Sequence, residues 1–308
     1  DCEKPPSAHG PRASPSGRPL SIAERADGAG EEIRAREPVT FPRRDRIEGI
    51  SGALTVRGGA ANMALRSSCR LLSPGGTPHV SVKIGIMPSL LAADLGRLGD
   101  ECRRAAAAGA DQLHLDIMDG VFVHNISFGP EVVALARRVA PDLPRNVHLM
   151  VERPHEYVEA FIAAGADTLL IHVEARCDVA ATLAEIRRRG ARAGLTLNPE
   201  TPARLAAPCL AAGLADEVLC MTVHPGFGGQ SFIAETLPNI RAVRAMAPDL
   251  DISVDGGISD ETAAAAARAG ANLFVAGTTL FRAPDLAAAI ERMRAAAAAA
   301  FAGSAAAP

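Results

Sequence analysis

From residue 83 onward, short apolar runs alternate with Ala-rich stretches whose apolar residues recur at helical spacing. Eight runs have strand length: 83–88, 112–118, 145–151, 168–173, 192–197, 217–223, 251–255 and 272–276. They are near-continuously apolar, as parallel strands covered on both faces should be. A helical pattern follows each, for example over 94–108, 154–164, 179–189, 234–247, 260–269 and 284–299. The segment Ala-Ala-Gly-Ala-Asp occurs at 107–111 and again at 163–167, and related turns end at Asp216 and Asn272. Their glycines, Gly109, Gly165, Gly213 and Gly270, fit the position just past a helix, where a positive φ is needed. They lie 56, 48 and 57 residues apart, room for two βα units in each interval. Eight βα units in about 220 residues predict an α/β fold of the closed (β/α)8, or TIM, barrel type. An open doubly wound sheet is the alternative, weakened because no G-x-G-x-x-G follows the first strand.

Residues 1–82 break this pattern. Gly and Pro make up 23% of them and about 14% of the rest, and no apolar period is sustained. They read as a low-complexity, disordered N-terminal extension, followed by a barrel domain over 83–299 and an Ala-rich tail over 300–308. The extension carries nine acidic residues and no apolar segment near its start, which argues against a transit or secretory signal. The six cysteines, at 2, 69, 102, 177, 209 and 220, form no C-x-x-C pair and have no metal-ligand spacing. They read as reduced thiols, and the expected location is cytoplasmic. A net charge of −3 and 3% aromatic residues disfavour nucleic acid as a partner. No uninterrupted apolar stretch of 18 residues occurs, so no membrane span is expected.

In such a barrel the chemistry sits at the C-terminal ends of the strands. Strand 1 ends at Ser89, strand 2 reads His-Leu-Asp-Ile-Met-Asp-Gly over 114–120, strand 3 reads His-Leu-Met over 148–150, and strand 7 reads Val-Asp-Gly-Gly-Ile over 254–258. Side chains alternate along a strand, so His114, Asp116 and Met118 share one face, as do His148 and Met150. Ionisable groups facing into a barrel are costly unless paired or bound to a metal. His114, Asp116, His148 and Asp255 therefore form a candidate site for one divalent ion, and their N/O donors suit Zn, Fe, Mn or Co. Gly226–Gly229, Gly256–Gly257 and Gly277–Thr278 follow strands 6, 7 and 8, where backbone N–H groups can approach an anion closely. His172, with Glu174 nearby, is a candidate supporting residue behind the ligands.

These residues carry a family resemblance. Pro-Ser-Leu-Leu-Ala-Ala-Asp (88–94), His-Leu-Asp-Ile-Met-Asp-Gly-Val-Phe-Val-His-Asn-Ile-Ser-Phe-Gly (114–129), His-Leu-Met-Val (148–151), Asn-Pro-Glu-Thr-Pro (198–202), Pro-Gly-Phe-Gly-Gly-Gln (225–230) and Val-Asp-Gly-Gly-Ile (254–258) together resemble ribulose-phosphate 3-epimerases over about 83–295. The resemblance implies interconversion of D-ribulose 5-phosphate and D-xylulose 5-phosphate in the pentose phosphate pathway, through a metal-stabilised enediolate. It places the metal ligands on His114, Asp116, His148 and Asp255 and the acid/base pair on Asp116 and Asp255. It places substrate contacts on Ser89, His148, Met118, Met150, Met221, Gly226, Phe227, Gly228, Gly229, Gly256, Gly257, Gly277 and Thr278. It also implies a homo-oligomer whose partner is a small ketose phosphate. The alternatives are a 3-epimerase of a related ketose phosphate, such as allulose 6-phosphate, and a non-catalytic phosphosugar-binding barrel. Two positions depart from the family pattern: His124 stands where Pro is usual, and His224 where Asn or Glu is common.

Overall fold

A computed structural model of the protein describes residues 82–304. The extension read over 1–82, apart from Val82, and the last four residues of the tail lie outside the described residues. The eight strands are β1 Gly85–Pro88, β2 Leu113–Met118, β3 Arg145–Met150, β4 Thr168–His172, β5 Arg192–Leu197, β6 Glu217–Met221, β7 Asp251–Asp255 and β8 Leu273–Ala276. All pairings are parallel, in the order β1-β8-β7-β6-β5-β4-β3-β2. The two ends of that order meet where Ser89 bridges His114, and where Asp111 N–H donates to Ile86 O at 3.0 Å. The sheet is thereby rolled into the expected (β/α)8 barrel.

The helices are α1 Leu98–Ala107, α2 Pro130–Val139, α3 Val158–Ala164, α4 Val179–Arg188, α5 Ala207–Ala211, α6 Leu237–Met246, α7 Asp260–Ala269, α8 Thr278–Phe281 and α9 Leu286–Ser304. Most boundaries lie within a few residues of the sequence reading, and two of the shifts have a plain physical cause. The sixth strand stops at Met221 rather than 223, because Thr222 N–H turns to Asp255 O and Ile233 N–H takes Thr222 O. The last helix continues to Ser304, past residue 299, since its run of alanines contains nothing to break it. None of the helices in the described residues is long and apolar enough to cross a membrane. Cys102, Cys177, Cys209 and Cys220 are free thiols.

The alternation of each strand divides two interiors. Leu115, Ile117, Val147, Leu149, Leu195, Val218, Val254 and Phe274 face outward and join one continuous core with helix residues such as Val133, Phe161, Leu183, Ile240 and Ile290. Each large apolar side chain fully buried there contributes roughly 1.5–3 kcal/mol. Alanines Ala263, Ala266, Ala267 and Ala269 let α7 lie close against α9. The inward faces carry only small apolar groups, separated by the buried polar residues His114, Asp116, Asn146, His148, His172, Thr196, Glu217 and Ser253.

The repeated turn has a structural purpose. Its glycines Gly109, Gly165, Gly213 and Gly270 all have positive φ, between 63° and 112°. The Asx residue that follows each of them grips the strand before it. Asp111, Asp167, Asp216 and Asn272 accept the backbone N–H of Ile86, Arg145, Ala193 and Ile252 at 2.8–2.9 Å. Their own N–H groups donate back to the same four residues' carbonyls at 2.7–3.0 Å. The four clamps recur every second strand and tie neighbouring strands together at the end of the barrel opposite the candidate site. Asp216→Ala should cost about 1–3 kcal/mol by leaving the buried Ala193 N–H unpaired, whereas Asp216→Asn, which copies Asn272, should lose little beyond the Arg187 ion pair. Urea unfolding midpoints check this; equal losses for the two variants would contradict the clamp.

Candidate active site

Asp116 is the centre of the site. It is 3% exposed and lies on the inward face of β2. Ser89 Oγ–H donates to its Oδ2 at 2.6 Å, and His114 Nε2 and His148 Nδ1 each lie 3.2 Å from its Oδ1. Asp255, at the end of β7, keeps 17% of its side chain open to the cavity, with Oδ2 3.9 Å from His114 Nε2. One donor atom from each of His114, Asp116, His148 and Asp255 lies within 4.8 Å of all the others. Ligands of a tetrahedral ion with bonds near 2.1 Å stand about 3.4 Å apart, so the spacing suits a single cation.

The proton inventory points the same way. Burial drives the His148 pKa down to about 4, against the opposing Asp116 hydrogen bond, so this ring is neutral. Its Nε2 faces His172 Nε2 at 2.8 Å, and His172 Nδ1 faces Glu174 Oε2 at 3.1 Å. A carboxylate only accepts, so His172 donates from Nδ1 and receives the His148 Nε2 proton. That leaves the His148 Nδ1 lone pair aimed at an oxygen of Asp116, an arrangement of two acceptors that a cation resolves. Behind His114, Nδ1 lies 3.0 Å from Asn146 Oδ1. Burial would lower the His114 pKa, but the charge and hydrogen bond of Asp116, with Asp255 and Glu217 beyond, lift it to about 9.

The two carboxylates are driven apart. Burial works to raise the Asp116 pKa, yet His114 and His148 hold it well below the usual carboxylate range. Asp255 is pushed up by burial and then by the Asp116 charge, with His114 opposing only in part. Asp116 therefore stays charged, whereas Asp255, raised to about 7, populates its protonated form as well at neutral pH.

Above the cluster opens a cavity of about 290 Å³. Its walls include Ser89, Asp116, Met118, Met150, Met221, Gly226, Phe227, Gly228, Gly229, Asp255, Gly256, Gly257, Gly277 and Thr278, all singled out from the sequence. His114 and His148 are fully buried behind the walls; His148, expected also as a substrate contact, does not line the cavity. Met118 and Met150 pack together with Val123, and Met221 packs with Leu170, Leu219 and Val223 on the other side. The glycine loops are braced from within. Gln230 Nε2 donates to His224 O and Phe227 O at 2.7 and 2.8 Å, and Asn125 Nδ2 donates to Gly226 O at 2.7 Å. Gly257 has φ +64°, and a Cβ there would lie 2.4 Å from Phe232 N, so only glycine lets the backbone pass. The N-terminus of α8 opens on the cavity at Thr278 with no side-chain cap.

The two family departures fall away from the ligands. His124 is exposed, and His224 pairs with Glu200 at 2.6 Å on the exposed rim. Sequence reasoning missed Asn146, Glu217 and Ser253, which form a polar chain beneath His114. The signal was available in the parity of the strands: 146 with 148, 217 with 221 and 253 with 255 share inward faces.

Comparison with known proteins accords with this geometry. The Ribulose-phosphate 3 epimerase family matches residues 85–281. Ribulose-phosphate 3-epimerase of Bacillus subtilis is 45% identical over 216 residues, covering 68% of this chain and 98% of that protein. The enzyme of the same name from Synechocystis is 45% identical over 221 residues (70% and 95%), and that of Escherichia coli K12 is 42% identical over 213 (68% and 94%). Among solved structures, 3-hexulose-6-phosphate synthase from Salmonella typhimurium aligns with a TM-score of 0.55 at 15% identity, covering 70% of this chain and 100% of that one. The 3-keto-L-gulonate-6-phosphate decarboxylase from Vibrio cholerae aligns at 0.55 and 16% (69% and 98%). At those identities the two structures share the barrel fold alone. The chain is an isomerase and belongs to the ribulose-phosphate 3 epimerase family.

Proposed function

We propose that this protein interconverts D-ribulose 5-phosphate and D-xylulose 5-phosphate by removing the proton at C3 and returning one to the opposite face. The observation that carries the reading is the pair of carboxylates, Asp116 and Asp255, that open on one cavity with opposite proton preferences. Such a split is how two like groups take the roles of base and acid.

The C3 proton lies next to a ketone and is far less acidic than a carboxylic acid, so charge developing on the substrate oxygens has to be stabilised as it forms. A divalent cation of the Zn, Fe, Mn or Co type, held by His114, Asp116, His148 and Asp255, supplies Lewis-acid stabilisation of that charge when bound. Asp116, kept ionised by Ser89 and His114, accepts the proton on one face. Asp255, kept protonated by burial and by its neighbour, delivers a proton to the other, and the reverse reaction exchanges the roles. Met118, Met150 and Met221 wall the reacting carbon with thioethers that exclude water and hold no proton to misdeliver. The substrate phosphate lies on the backbone N–H groups of Gly256–Gly257 and Gly277–Thr278, at the N-terminus of α8.

Turnover of ribulose 5-phosphate, followed by NMR in D2O, should place deuterium at C3 of both epimers. Asp116→Asn and Asp255→Asn, assayed at saturating metal, should each lose about 10²–10⁴-fold in kcat. Activity within tenfold of the native protein in either variant would contradict the two-carboxylate mechanism. Chelation should abolish turnover and added Co2+ or Mn2+ should restore it; full activity after exhaustive chelation would contradict the metal role. The raised His114 pKa also sets a pH dependence. Below about pH 9 the metal-free ring is protonated, and a cation ligating Nε2 has to displace that proton. Affinity should therefore fall with decreasing pH, by about tenfold per unit for each proton displaced. Calorimetry at pH 7 in buffers of different ionisation enthalpy should detect release of at least one proton; Zn2+ binding without release would contradict the assignment.

A further inference from the structure

Glu217 opens β6 on the inward side of the barrel and is fully buried. It touches none of the four candidate ligands. Ser253 Oγ–H donates to its Oε1 at 2.6 Å, and Asn146 Nδ2 donates to its Oε1 and Oε2 at 3.2 and 3.0 Å. Asn146 and Ser253 are fully buried as well. A carboxylate in such a place is a poor source of stability, because a well-packed apolar side chain of similar size usually does as well or better. Its hydrogen bonds instead lead in one direction. Burial raises the Glu217 pKa, and the Ser253 hydrogen bond, the Arg192 charge and the Asn146 hydrogen bond oppose that rise. To the ionised carboxylate, both of whose oxygens lie within reach of Asn146 Nδ2, only the amide nitrogen can donate, so Glu217 fixes the rotation of the amide and turns Oδ1 toward His114 Nδ1, 3.0 Å away. An amide oxygen only accepts, so Nδ1 has to carry a proton, and Nε2 is presented to Asp116 and Asp255.

We propose that Glu217 is a positioning residue for His114: acting through Asn146, it selects the ring tautomer and orientation that leave Nε2 free to ligate a divalent cation. This rests on the metal reading of the four-residue cluster. Without Glu217 the Asn146 amide is free to flip and offer its NH2 group to Nδ1, which favours a proton on Nε2 and blocks the ligand. The Glu174–His172 pair does the corresponding work for His148, so each histidine is held from behind by a carboxylate acting through one intermediary.

The test uses the full chain stripped of metal, with Co2+ affinity measured by chelator competition. Glu217→Leu should weaken Co2+ binding about ten- to a hundredfold, the usual cost of losing a group that orients a ligand, and should lower the thermal midpoint because the buried Asn146 NH2 and Ser253 hydroxyl lose their acceptor. Glu217→Gln, which keeps one acceptor oxygen for Asn146 and Ser253, should retain most of the affinity. Asn146→Asp added to Glu217→Leu should restore binding, because either oxygen of an aspartate accepts from Nδ1 without being steered. Native-like Co2+ affinity in Glu217→Leu, or no recovery in the double variant, would overturn the proposal. Should Glu217→Leu fail to fold, 15N spectra of the Zn2+-bound native protein decide: His114 protonated at Nδ1 supports the role, and protonated at Nε2 overturns it. Co2+ affinity is read without substrate, so a protein inert toward ribulose 5-phosphate would contradict the proposed reaction and not this role. A native protein that binds no Co2+ would end both the metal reading and this one.

Discussion

A carboxylate buried in the wall of a barrel has to be surrounded by donors, and Asp116 is the group on which this structure turns. Left unpaired, its charge would cost several kcal/mol. Ser89 from the end of β1 and His114 from its own strand donate to it, while His148 from β3 turns the lone pair of Nδ1 toward it, 3.2 Å away, so that a cation completes its surroundings. The backbone bridge that brings the first strand to the second joins Ser89 and His114. Closing the barrel and assembling the site are therefore one event: the contact that removes the open edge of the sheet also delivers the hydroxyl that Asp116 needs.

The same strands separate stability from chemistry by parity and by end. Outward side chains build the continuous apolar core under the helices, while inward side chains carry the ionisable groups. At one end, four Asx clamps fix the strand starts. At the other, glycine loops braced by Gln230 and Asn125 surround a cavity whose floor is polar and whose flanks are methionine. With its starting ends held this way, the barrel can keep Asp116 and Asp255 in fixed and unequal surroundings, and unequal surroundings are what two carboxylates need to act as acid and base.

Much of this was legible in the residues. Continuous apolar runs marked the strands because both faces of a parallel barrel are covered, and the repeated Ala-Gly-Ala-Asp turns marked their spacing. Alternation placed His114, Asp116 and Met118 on one face before any coordinates. What escaped notice was polar residues that touch no cavity. Glu217 follows an aspartate at a strand entrance, and Asn146 follows an arginine, so neither stands at a strand end where chemistry is sought. The acid of the repeated turn was likewise visible as a motif, but its grip on the preceding strand depends on register, which only the paired strands reveal. The extent of the last helix was missed because alanine favours the helix yet offers no periodic face to read.

The central claim is that four side chains from β2, β3 and β7 share one cation. Crystals grown with Co2+ and measured across the cobalt absorption edge test it most directly. The account predicts a single anomalous peak at about 2.0–2.3 Å from His114 Nε2, His148 Nδ1 and one oxygen each of Asp116 and Asp255. A peak bound elsewhere, or held by fewer than these four residues, would contradict it.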